Sequence, residues 1–319
     1  MPQNEFPEAV LTRLVARHLD VAPVGLTVRR WPTGKFNTTY LIEGGPEPLV
    51  LRIAPPDDRS RVLFYEHRMM LQEPALHALL RERTDVPVPA ILAHDFGRAE
   101  IQRNYLLMER LPGTPIASLG GLTRDTFDDI LRQVGRSLRQ VHAITGDRYG
   151  YVGEHRPMEP QPDWPSAFHV MWHKLLDDIE GCGGYDPEEA TGMRRLLDRH
   201  AEVFDRPAPA SLLHMDVWAE NILADERGRL TGLIDWDRAC WGDPEIEFAV
   251  LDYCGMSERA FWEGYGTTRD TSPEAAVRRM FYLLYEVQKY IVIRRARNHD
   301  SRRADAYRQQ ALQLAQAIR

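Results

Sequence analysis

Apolar and polar residues alternate in short runs along the first third of the chain, a pattern typical of β-strands. These runs are rich in β-branched and aromatic residues and cover residues 26–31, 37–43, 48–54, 90–96 and 104–109. Pro32, Gly34 and the sequence Gly44-Gly45-Pro46 mark turns between the first three runs. Because short turns join antiparallel strands, the pattern predicts a small antiparallel sheet.

The period of the apolar residues changes to three and four after residue 113, which is typical of helices. It predicts helices over residues 123–144, 164–180, 187–204 and 275–298, with short strands at 211–213, 221–224 and 230–234. Two helices are also predicted before the change, over residues 6–19 and 59–72. Pro74 ends the second of these and can occupy the first turn of another short helix.

Together these elements predict an α+β protein with two lobes. Residues 1–109 would form a β-rich lobe that includes a helix. Residues 110–319 would form a larger, mainly helical lobe. The pair Pro112-Gly113 is a natural joint between them, and a cleft between two lobes is a common place for a ligand.

The composition is that of an ordinary globular protein, with 43% hydrophobic and 27% charged residues. No apolar run approaches the roughly 18–20 residues that span a bilayer, and the first thirty residues lack a signal-peptide pattern. The three cysteines are widely spaced, which suits a reducing compartment. The sequence therefore predicts a cytoplasmic protein that has no membrane partner.

The net charge of −7 is unevenly distributed. Residues 110–293 carry 20 basic and 31 acidic side chains, which argues against nucleic acid as a partner. This acidic region would favour a cationic small molecule, and a solvated acidic surface is the alternative interpretation. The basic side chains near the C-terminus are predicted to form an exposed helix face: Arg294, Arg295, Arg297, Arg302 and Arg303.

Candidate chemistry is concentrated between residues 214 and 237. Asp216 lies on a predicted loop, Asn221 five residues later, and Asp235 at the end of a strand that returns across a turn at Gly228. A pairing of the two strands would bring Asn221 and Asp235 together. One carboxylate can accept the proton of an attacking hydroxyl, and the amide oxygen and the second carboxylate are ligands suited to Mg²⁺ on a triphosphate. The alternative is that all three have structural roles, and His214 is predicted to orient the loop rather than to take part in the chemistry.

These motifs resemble the aminoglycoside phosphotransferase and choline kinase superfamily, the small-molecule branch of the protein-kinase-like fold. The resemblance rests on His214-Met-Asp216, Asn221, Ile234-Asp235-Trp-Asp237 and Gly242-Asp243-Pro244. It implies that Asp216 is the catalytic base, that Asn221 and Asp235 hold Mg²⁺, and that ATP or GTP is the phosphate donor. It also implies that the lobe of residues 1–109 binds the nucleotide and that the lobe of residues 110–319 binds the substrate and carries the catalytic residues. The absence of a glycine after Asp235 and of a later Ala-Pro-Glu sequence points away from protein kinases proper.

The resemblance also extends to the nucleotide side. A loop that contains Gly34, Asn37 and Thr38 would approach the phosphates, although a glycine in a hairpin turn is by itself usually only a turn. Arg52 stands where the family usually has a lysine, and Arg52 is predicted to pair with Glu66 on the following helix. The adenine would bind to backbone groups of Glu109 and Leu111. The alternatives are that Arg52 points to solvent and that Glu66 is an ordinary surface acid.

On the acceptor side, Asp243 is predicted to cap a helix, while Trp218 and Trp236 are predicted to wall the pocket. The sequence thus predicts a kinase that phosphorylates a hydroxyl of an aminoglycoside-like or other natural-product alcohol, with a role in antibiotic resistance. One alternative is a metabolic kinase for choline, an amino alcohol or a sugar amine. Another is a nucleotide-binding pseudokinase, favoured only by Arg52 in the lysine position.

Overall fold

The computed structural model describes residues 6–20, 22, 24–31, 36–58, 62–151 and 153–318. The predicted α+β architecture is confirmed: an antiparallel sheet precedes a mainly helical part. Its first part contains α1 (Glu8–Leu19), β1 (Thr27–Trp31), β2 (Thr38–Glu43), β3 (Leu49–Ile53), α2 (Glu73–Arg83), β4 (Ile91–Asp95) and β5 (Tyr105–Glu109).

The five strands form one antiparallel sheet in the order β1-β2-β3-β5-β4. One face of the sheet packs against α1 through a core that includes Leu14, Val15, Leu51 and Leu107. β3 is central, between β2 and β5, so Arg52 extends from a rigid, fully paired strand.

The second part begins with β6 (Thr114–Pro115), α3 (Arg124–His142), α4 (Trp164–Gly181) and α5 (Pro187–Arg199). It continues with β7 (Ser211–Leu213), β8 (Ile222–Ala224), β9 (Leu230–Leu233), β10 (Cys240–Gly242) and α6 (Pro244–Tyr253). It ends with α7 (Arg259–Tyr265), α8 (Pro273–Val292) and α9 (Ser301–Ala317). Among the described residues, none of these helices has the length and apolar character needed to cross a bilayer.

Side-chain caps fix where several helices begin, because they satisfy backbone N–H groups that have no partner inside the helix. The Asp186 carboxylate accepts from Glu189 N at 2.9 Å, and the Glu189 side chain accepts from Asp186 N at 3.1 Å. The predicted cap at Asp243 is confirmed, since its carboxylate accepts from Glu245 N at 3.0 Å. Pro74 lies in the first turn of α2, as predicted.

The predicted helix over residues 59–72 is wrong in its described part. Residues 64–68 form turns, and only Met69–Gln72 forms a short 3₁₀ helix. Arg68 has a left-handed backbone with φ of 59°, which ends any continuous helix there. Leu63 and Tyr65 are buried in the core of the helical part, so tertiary packing overrides the helical spacing.

Two predicted helices end earlier than the sequence indicated. α5 ends at Arg199 and is followed by a 3₁₀ turn, and α8 ends at Val292. The next five residues, Ile293–Arg297, form a π turn in which Asn298 N donates to Ile293 O at 3.0 Å. Such turns change the direction of side chains within a helix and are frequent at functional sites.

The helical part has two cores, one around α4 and α8 and one around α3 and α7. α2 belongs to the second core, because Leu76 and Leu80 pack there rather than under the sheet. The lobe boundary between residues 109 and 110 stays a prediction. Gly113 has φ of 95°, and a Cβ there would lie 2.2 Å from Thr231 Oγ1, so the predicted joint requires glycine.

Candidate active site

A cavity of about 820 Å³ lies between the five-stranded sheet and the helical part. Val50 and Met108 line it from the sheet, and Asp216 and Asp235 line it from the loops after β7 and β9. Its volume falls in the range of about 300–1,000 Å³ that is usual for small-molecule sites. The chemical groups picked out from the sequence therefore face a space that can hold a ligand.

The β8–β9 hairpin brings Asn221 and Asp235 together. Its two strands pair antiparallel across the turn at Gly228, and Ile234 N donates to Asn221 O at 3.0 Å. The Asn221 side-chain nitrogen donates to the Asp216 backbone oxygen and to Asp216 Oδ2, both at 2.9 Å. Because the nitrogen is used there, the amide oxygen of Asn221 is the atom left to act as a ligand.

Two residues of this segment have a left-handed backbone conformation, which residues other than glycine rarely adopt. Met215 has φ of 66° and Asp235 has φ of 71°. Left-handed backbone at a non-glycine residue costs about 1–3 kcal/mol and is kept only where the surroundings enforce it. Met215 is held on both sides: its N–H donates to Glu247 Oε1 at 2.6 Å, and its oxygen accepts from Arg238 Nη1 at 2.6 Å.

His214 orients the loop, as predicted. Its Nε2 donates to Ile234 O at 3.0 Å, so its Nδ1 is the acceptor for Asp216 N at 3.2 Å. The imidazole is fully buried and thus links the loop of Asp216 to the segment of Asp235.

Glu247 is a structural residue of the site that the sequence reasoning did not identify. It is fully buried, lies 2.8 Å from His142 Nε2, and accepts from His214 N at 3.1 Å. Burial by itself raises the pKa of Glu247, but His142, His214 and the Met215 N–H outweigh burial and hold the pKa below its ordinary value. The available signal was an acid enclosed in the apolar run Ile246–Val250.

Arg52 is the centre of a buried charge cluster. Its Nη1 lies 2.5 Å from Glu73 Oε2, and its Nη2 lies 2.5 Å from Asp235 Oδ1 and 3.2 Å from Asp237 Oδ2. Burial opposes its charge, but the three carboxylates together raise the pKa of Arg52, which remains protonated. Burial, followed by the neighbouring Asp235 and Glu73, raises the pKa of Asp237.

The predicted ion pair between Arg52 and Glu66 is wrong. Glu66 instead pairs with Arg297 and accepts from Leu63 N at 2.8 Å. The helix that would have presented Glu66 does not form, and α2 begins at Glu73, whose carboxylate meets Arg52. The alternative in which Arg52 points to solvent is also wrong, because its residue is only 9% exposed.

The predicted nucleotide loop is only partly described. Gly34 lies outside the described residues. Asn37 Nδ2 donates to Asp237 Oδ2 at 3.1 Å, and Asn37 lines the cavity. Thr38 is absent from the described cavity lining, whereas Thr39 is present, because successive strand residues face opposite sides of the sheet.

The predicted adenine-binding residues Glu109 and Leu111 both line the cavity, at the end of β5. The Glu109 N–H is already used, since it donates to Ala90 O at 2.9 Å. An adenine would therefore have to bond to the Glu109 carbonyl and to the Leu111 backbone rather than to the Glu109 N–H.

The two tryptophans predicted to wall the acceptor pocket separate in the structure. Trp218 lines the cavity, but Trp236 is fully buried, so the prediction is wrong for Trp236. Its ring packs 4.2 Å from that of His214, and its Nε1 donates to Leu233 O at 2.9 Å. The core therefore buries its apolar ring and also provides a hydrogen-bond acceptor for its N–H group. Four tyrosines also line the cavity: Tyr65, Tyr253, Tyr290 and Tyr307.

Residues 27–278 match the model of the phosphotransferase enzyme family, known as APH. The match covers most of the chain, including the sheet, the Asp216 loop and the hairpin. The chain belongs to this family, and the enzyme is a phosphotransferase that acts on small molecules.

Three relatives illustrate the range of the similarity. The chain is 24% identical over 266 residues to a probable ketoamine kinase of Vibrio parahaemolyticus, which covers 80% of this chain and 82% of that protein. The gentamicin complex of APH(2″)-IIa superposes with a TM-score of 0.67 at 16% identity, over 96% of this chain and 97% of that one. A ternary complex of a thermostable mutant of APH(4)-Ia with AMP-PNP and hygromycin B superposes with a TM-score of 0.63 at 17% identity, over 95% of this chain and 98% of that one. The chain spans only 31–33% of several longer curated relatives.

Proposed function

We propose that the protein transfers the γ-phosphate of ATP or GTP to a hydroxyl of a natural-product or metabolite alcohol. The observation that carries this proposal is that Asp216, Asn221 and Asp235 all line the same 820 Å³ cavity. The hydrogen bond between Asn221 and Asp216 and the hairpin pairing that delivers Asp235 hold the three groups in fixed relation.

Each group has a distinct role in this proposal. Asp216 accepts the proton of the acceptor hydroxyl and directs its oxygen at the phosphate. Asn221 and Asp235 would hold Mg²⁺, which when bound neutralises charge on the phosphate oxygens. Arg52 supplies a fixed positive charge, and its guanidinium can also orient Asp235 through their 2.5 Å contact.

The residues present fit a divalent cation. Asp235, Asp237 and Glu73 surround the single guanidinium of Arg52, which leaves excess negative charge in a buried place. Asn221 adds an amide oxygen, and hard oxygen donors of this kind are those that Mg²⁺ prefers. The nucleotide would lie between this cluster and the backbone of Glu109 and Leu111, on the β3 and β5 side of the cavity.

Two acceptor classes remain as proposals. Aminoglycosides are suggested by the gentamicin and hygromycin B complexes of the structural neighbours, and phosphorylation of such a drug would confer antibiotic resistance. A sugar amine is suggested by the similarity to the probable ketoamine kinase. A pseudokinase is disfavoured because Asp216, Asn221 and Asp235 are all present and face the cavity.

A coupled ADP- or GDP-release assay with Mg²⁺ tests the proposal. The acceptor panel would contain gentamicin, hygromycin B, erythromycin, choline, homoserine and fructosyl-lysine, and Asp216→Asn would serve as the inactive control. We expect acceptor-dependent release of the diphosphate with at least one of these compounds and loss of that release in the control. If the protein binds the nucleotide but none of these compounds stimulates release of the diphosphate, the result would favour the pseudokinase instead.

A further inference from the structure

The C-terminal end of α8 forms one wall of the cavity. Tyr290, Ile293, Arg294 and Arg297 all line it, and their spacing of three, four and seven residues places them on one helical face. The π turn Ile293–Arg297 continues this face beyond the end of α8. The expectation from the sequence that these arginines form an exposed surface is therefore wrong for Arg294 and Arg297.

Most cations of this wall are already paired with carboxylates. Lys289 Nζ lies 2.5 Å from Glu286 Oε1, and Arg297 pairs with Glu66. Arg294 differs: within the described ranges its side chain has no carboxylate at salt-bridge distance, and its buried Nε has no hydrogen-bond partner. The buried Nε is closed to a ligand as well as to water, but the terminal Nη groups also have no partner within those ranges. An anion in the cavity can therefore accept charge-assisted hydrogen bonds from the Nη groups.

The same wall lies close to Asp216, the proposed catalytic base. Lys289 Nζ lies 4.0 Å from Asp216 Oδ1, and Arg294 follows five residues later on the same wall. At about 1.5 Å of rise per residue, the two positions are separated by roughly 7–8 Å along the helix. An acceptor whose hydroxyl meets Asp216 could therefore place a second group, several bonds away, against Arg294.

From these observations we propose that Arg294 binds an anionic group of the acceptor, a carboxylate or a phosphate, within the same cavity. The inference rests on the proposed kinase function and narrows its substrate to a hydroxyl compound that carries negative charge. A polycationic aminoglycoside would bring its own charges against Arg294 and would leave that guanidinium without a partner.

Matched acceptors test this inference. Fructosyl-glycine carries a carboxylate, and fructosyl-glycinamide has the same skeleton without the charge. The variant Arg294→Gln removes the charge of the guanidinium, and Arg294→Lys keeps a charge but removes the fork. The matched control is Arg295→Gln, because Arg295 donates to Cys182 O at 3.0 Å and lies 3.4 Å from Asp305, outside the described cavity lining.

We expect the wild type to have a lower KM for the acid than for the amide. Arg294→Gln should raise the KM for the acid by roughly tenfold or more, a typical effect of losing a charged hydrogen bond. The KM for the amide and for the nucleotide should be unchanged, and Arg295→Gln should match the wild type for both acceptors. Equal use of acid and amide by the wild type, or an unchanged preference in Arg294→Gln, would overturn the inference while the kinase function stands.

A binding measurement keeps the inference testable even if neither ketoamine is phosphorylated. Sulfate can be titrated calorimetrically into protein saturated with AMP-PNP and Mg²⁺, which blocks the phosphate-binding part of the cavity. We expect binding to the wild type and to Arg295→Gln, and at least roughly tenfold weaker binding to Arg294→Gln. Identical titrations of all three proteins would reject an anion site at Arg294, whatever the turnover assays give.

A second, independent observation concerns the outer surface of α4 and α5. His169 and His173 are one turn apart on α4, and Asp198 of α5 lies beside them, so that one ligand atom from each lies within 4.8 Å of the others. His169 Nε2 lies 3.3 Å from Asp198 Oδ1. A tetrahedral zinc ion with bonds of about 2.0–2.1 Å separates its ligand atoms by roughly 3.3 Å.

His173 supplies the second indication. Its Nε2 is buried and has no hydrogen-bond partner among the described residues, so a ligand atom at this place is left without a bond. We infer that His169, His173 and Asp198 form a site for Zn²⁺ or a similar transition metal, one that would tie α4 to α5.

Thermal unfolding of chelator-treated protein tests this site. Zn²⁺ should raise the Tm of the wild type and of the control His94→Gln, which changes an exposed histidine on β4. The Tm of His173→Gln and of Asp198→Asn should not respond to Zn²⁺, and Mg²⁺ should produce no shift through these residues. If Zn²⁺ has no effect, or if it shifts all four proteins alike, the assignment is wrong.

Discussion

The replacement Glu247→Gln should loosen the active-site loop without touching any group that faces the cavity. Glu247 is fully buried and accepts from His214 N and Met215 N, and it lies 2.8 Å from His142 Nε2. Glutamine has the same shape but one oxygen fewer. Its NH₂ group would replace either Oε1, which faces Met215 N, or Oε2, which faces His214 N and His142 Nε2. At least one of these contacts is therefore lost, and the others lose a charged acceptor.

The expected loss of stability can be estimated from these contacts. A hydrogen bond to a charged group contributes about 1.5–3 kcal/mol, and removal of the buried charge returns part of that loss. The free energy of unfolding should therefore fall by about 2–4 kcal/mol. With an unfolding entropy of about 2 cal/mol/K per residue, 1 kcal/mol shifts Tm by roughly 1.5 °C in a chain of 319 residues, so Tm should fall by roughly 3–6 °C.

The kcat should fall as well. Glu247 helps to keep Met215 at its φ of 66°, and Asp216, the next residue, depends on that backbone for its position. We expect a lower kcat at a temperature where the variant is still folded, with an unchanged KM for the nucleotide. The matched control is Glu263→Gln, which changes a solvent-exposed acid and should leave both Tm and kcat nearly unchanged. Equal Tm and kcat for wild type and Glu247→Gln would refute the bracing role.

The same variant predicts a pH dependence. The folded protein holds the pKa of Glu247 below its ordinary value of 4.5, so the carboxylate stabilises the fold above that pH. This contribution is lost as the pH falls through the lower, folded-state pKa. The difference in unfolding free energy between wild type and Glu247→Gln should therefore shrink as the pH falls below 4.5. A difference that stays constant or grows with acidification would contradict the assigned direction.

Three further variants address single groups. Asp216→Asn should lower kcat by roughly 10²–10⁴-fold and leave nucleotide affinity nearly intact; weakened binding in a fluorescent-nucleotide titration would mean that its role is different. Asp235→Ala should weaken binding of the Mg²⁺–nucleotide complex by roughly tenfold or more, and unchanged calorimetric affinity would remove Asp235 from the metal site. Burial raises the pKa of Asp178 to about 6, so the folded state binds its proton more tightly and stability is lost as pH rises from 3.8 past 6. Asp178→Asn should therefore raise the urea midpoint at pH 8 but not at pH 4, and the same change at both pH values would count against this.

The hairpin that joins Asn221 to Asp235 could be predicted from the sequence because its determinants are local. Apolar runs on both sides of Gly228 define two strands, and Gly228 adopts φ of 74° in the turn between them. Pairing across a short turn has one favoured register, so the side chains at its open end meet. The caps of α5 and α6 are predictable for the same reason, since the capping side chain lies within three residues of its partner.

The ion-pair partner of Arg52 could not be found in this way. Glu66 lies inside the predicted helix over residues 59–72 and Glu73 directly follows it, so the choice between them depends on whether residues 59–72 are helical. That was decided by distant contacts: Leu63 and Tyr65 enter the helical core, and Arg297 binds Glu66. Local propensity is a weak guide where burial of large side chains competes with it.

The charge of the cavity wall formed by the end of α8 could not be predicted from the sequence either. The sequence between residues 110 and 293 has a net charge of −11, which favoured a cationic substrate. However, several of these acids are buried and form ion pairs inside the protein. The pairs are Glu247 with His142, Glu286 with Arg238 and Lys289, and Asp243 with Arg206. The net charge of a segment therefore says little about the field inside a cavity, which depends on the groups that remain without a partner. Among the residues that the structure describes, Arg294 is such a group, and it belongs to the basic C-terminal end rather than to the acidic middle.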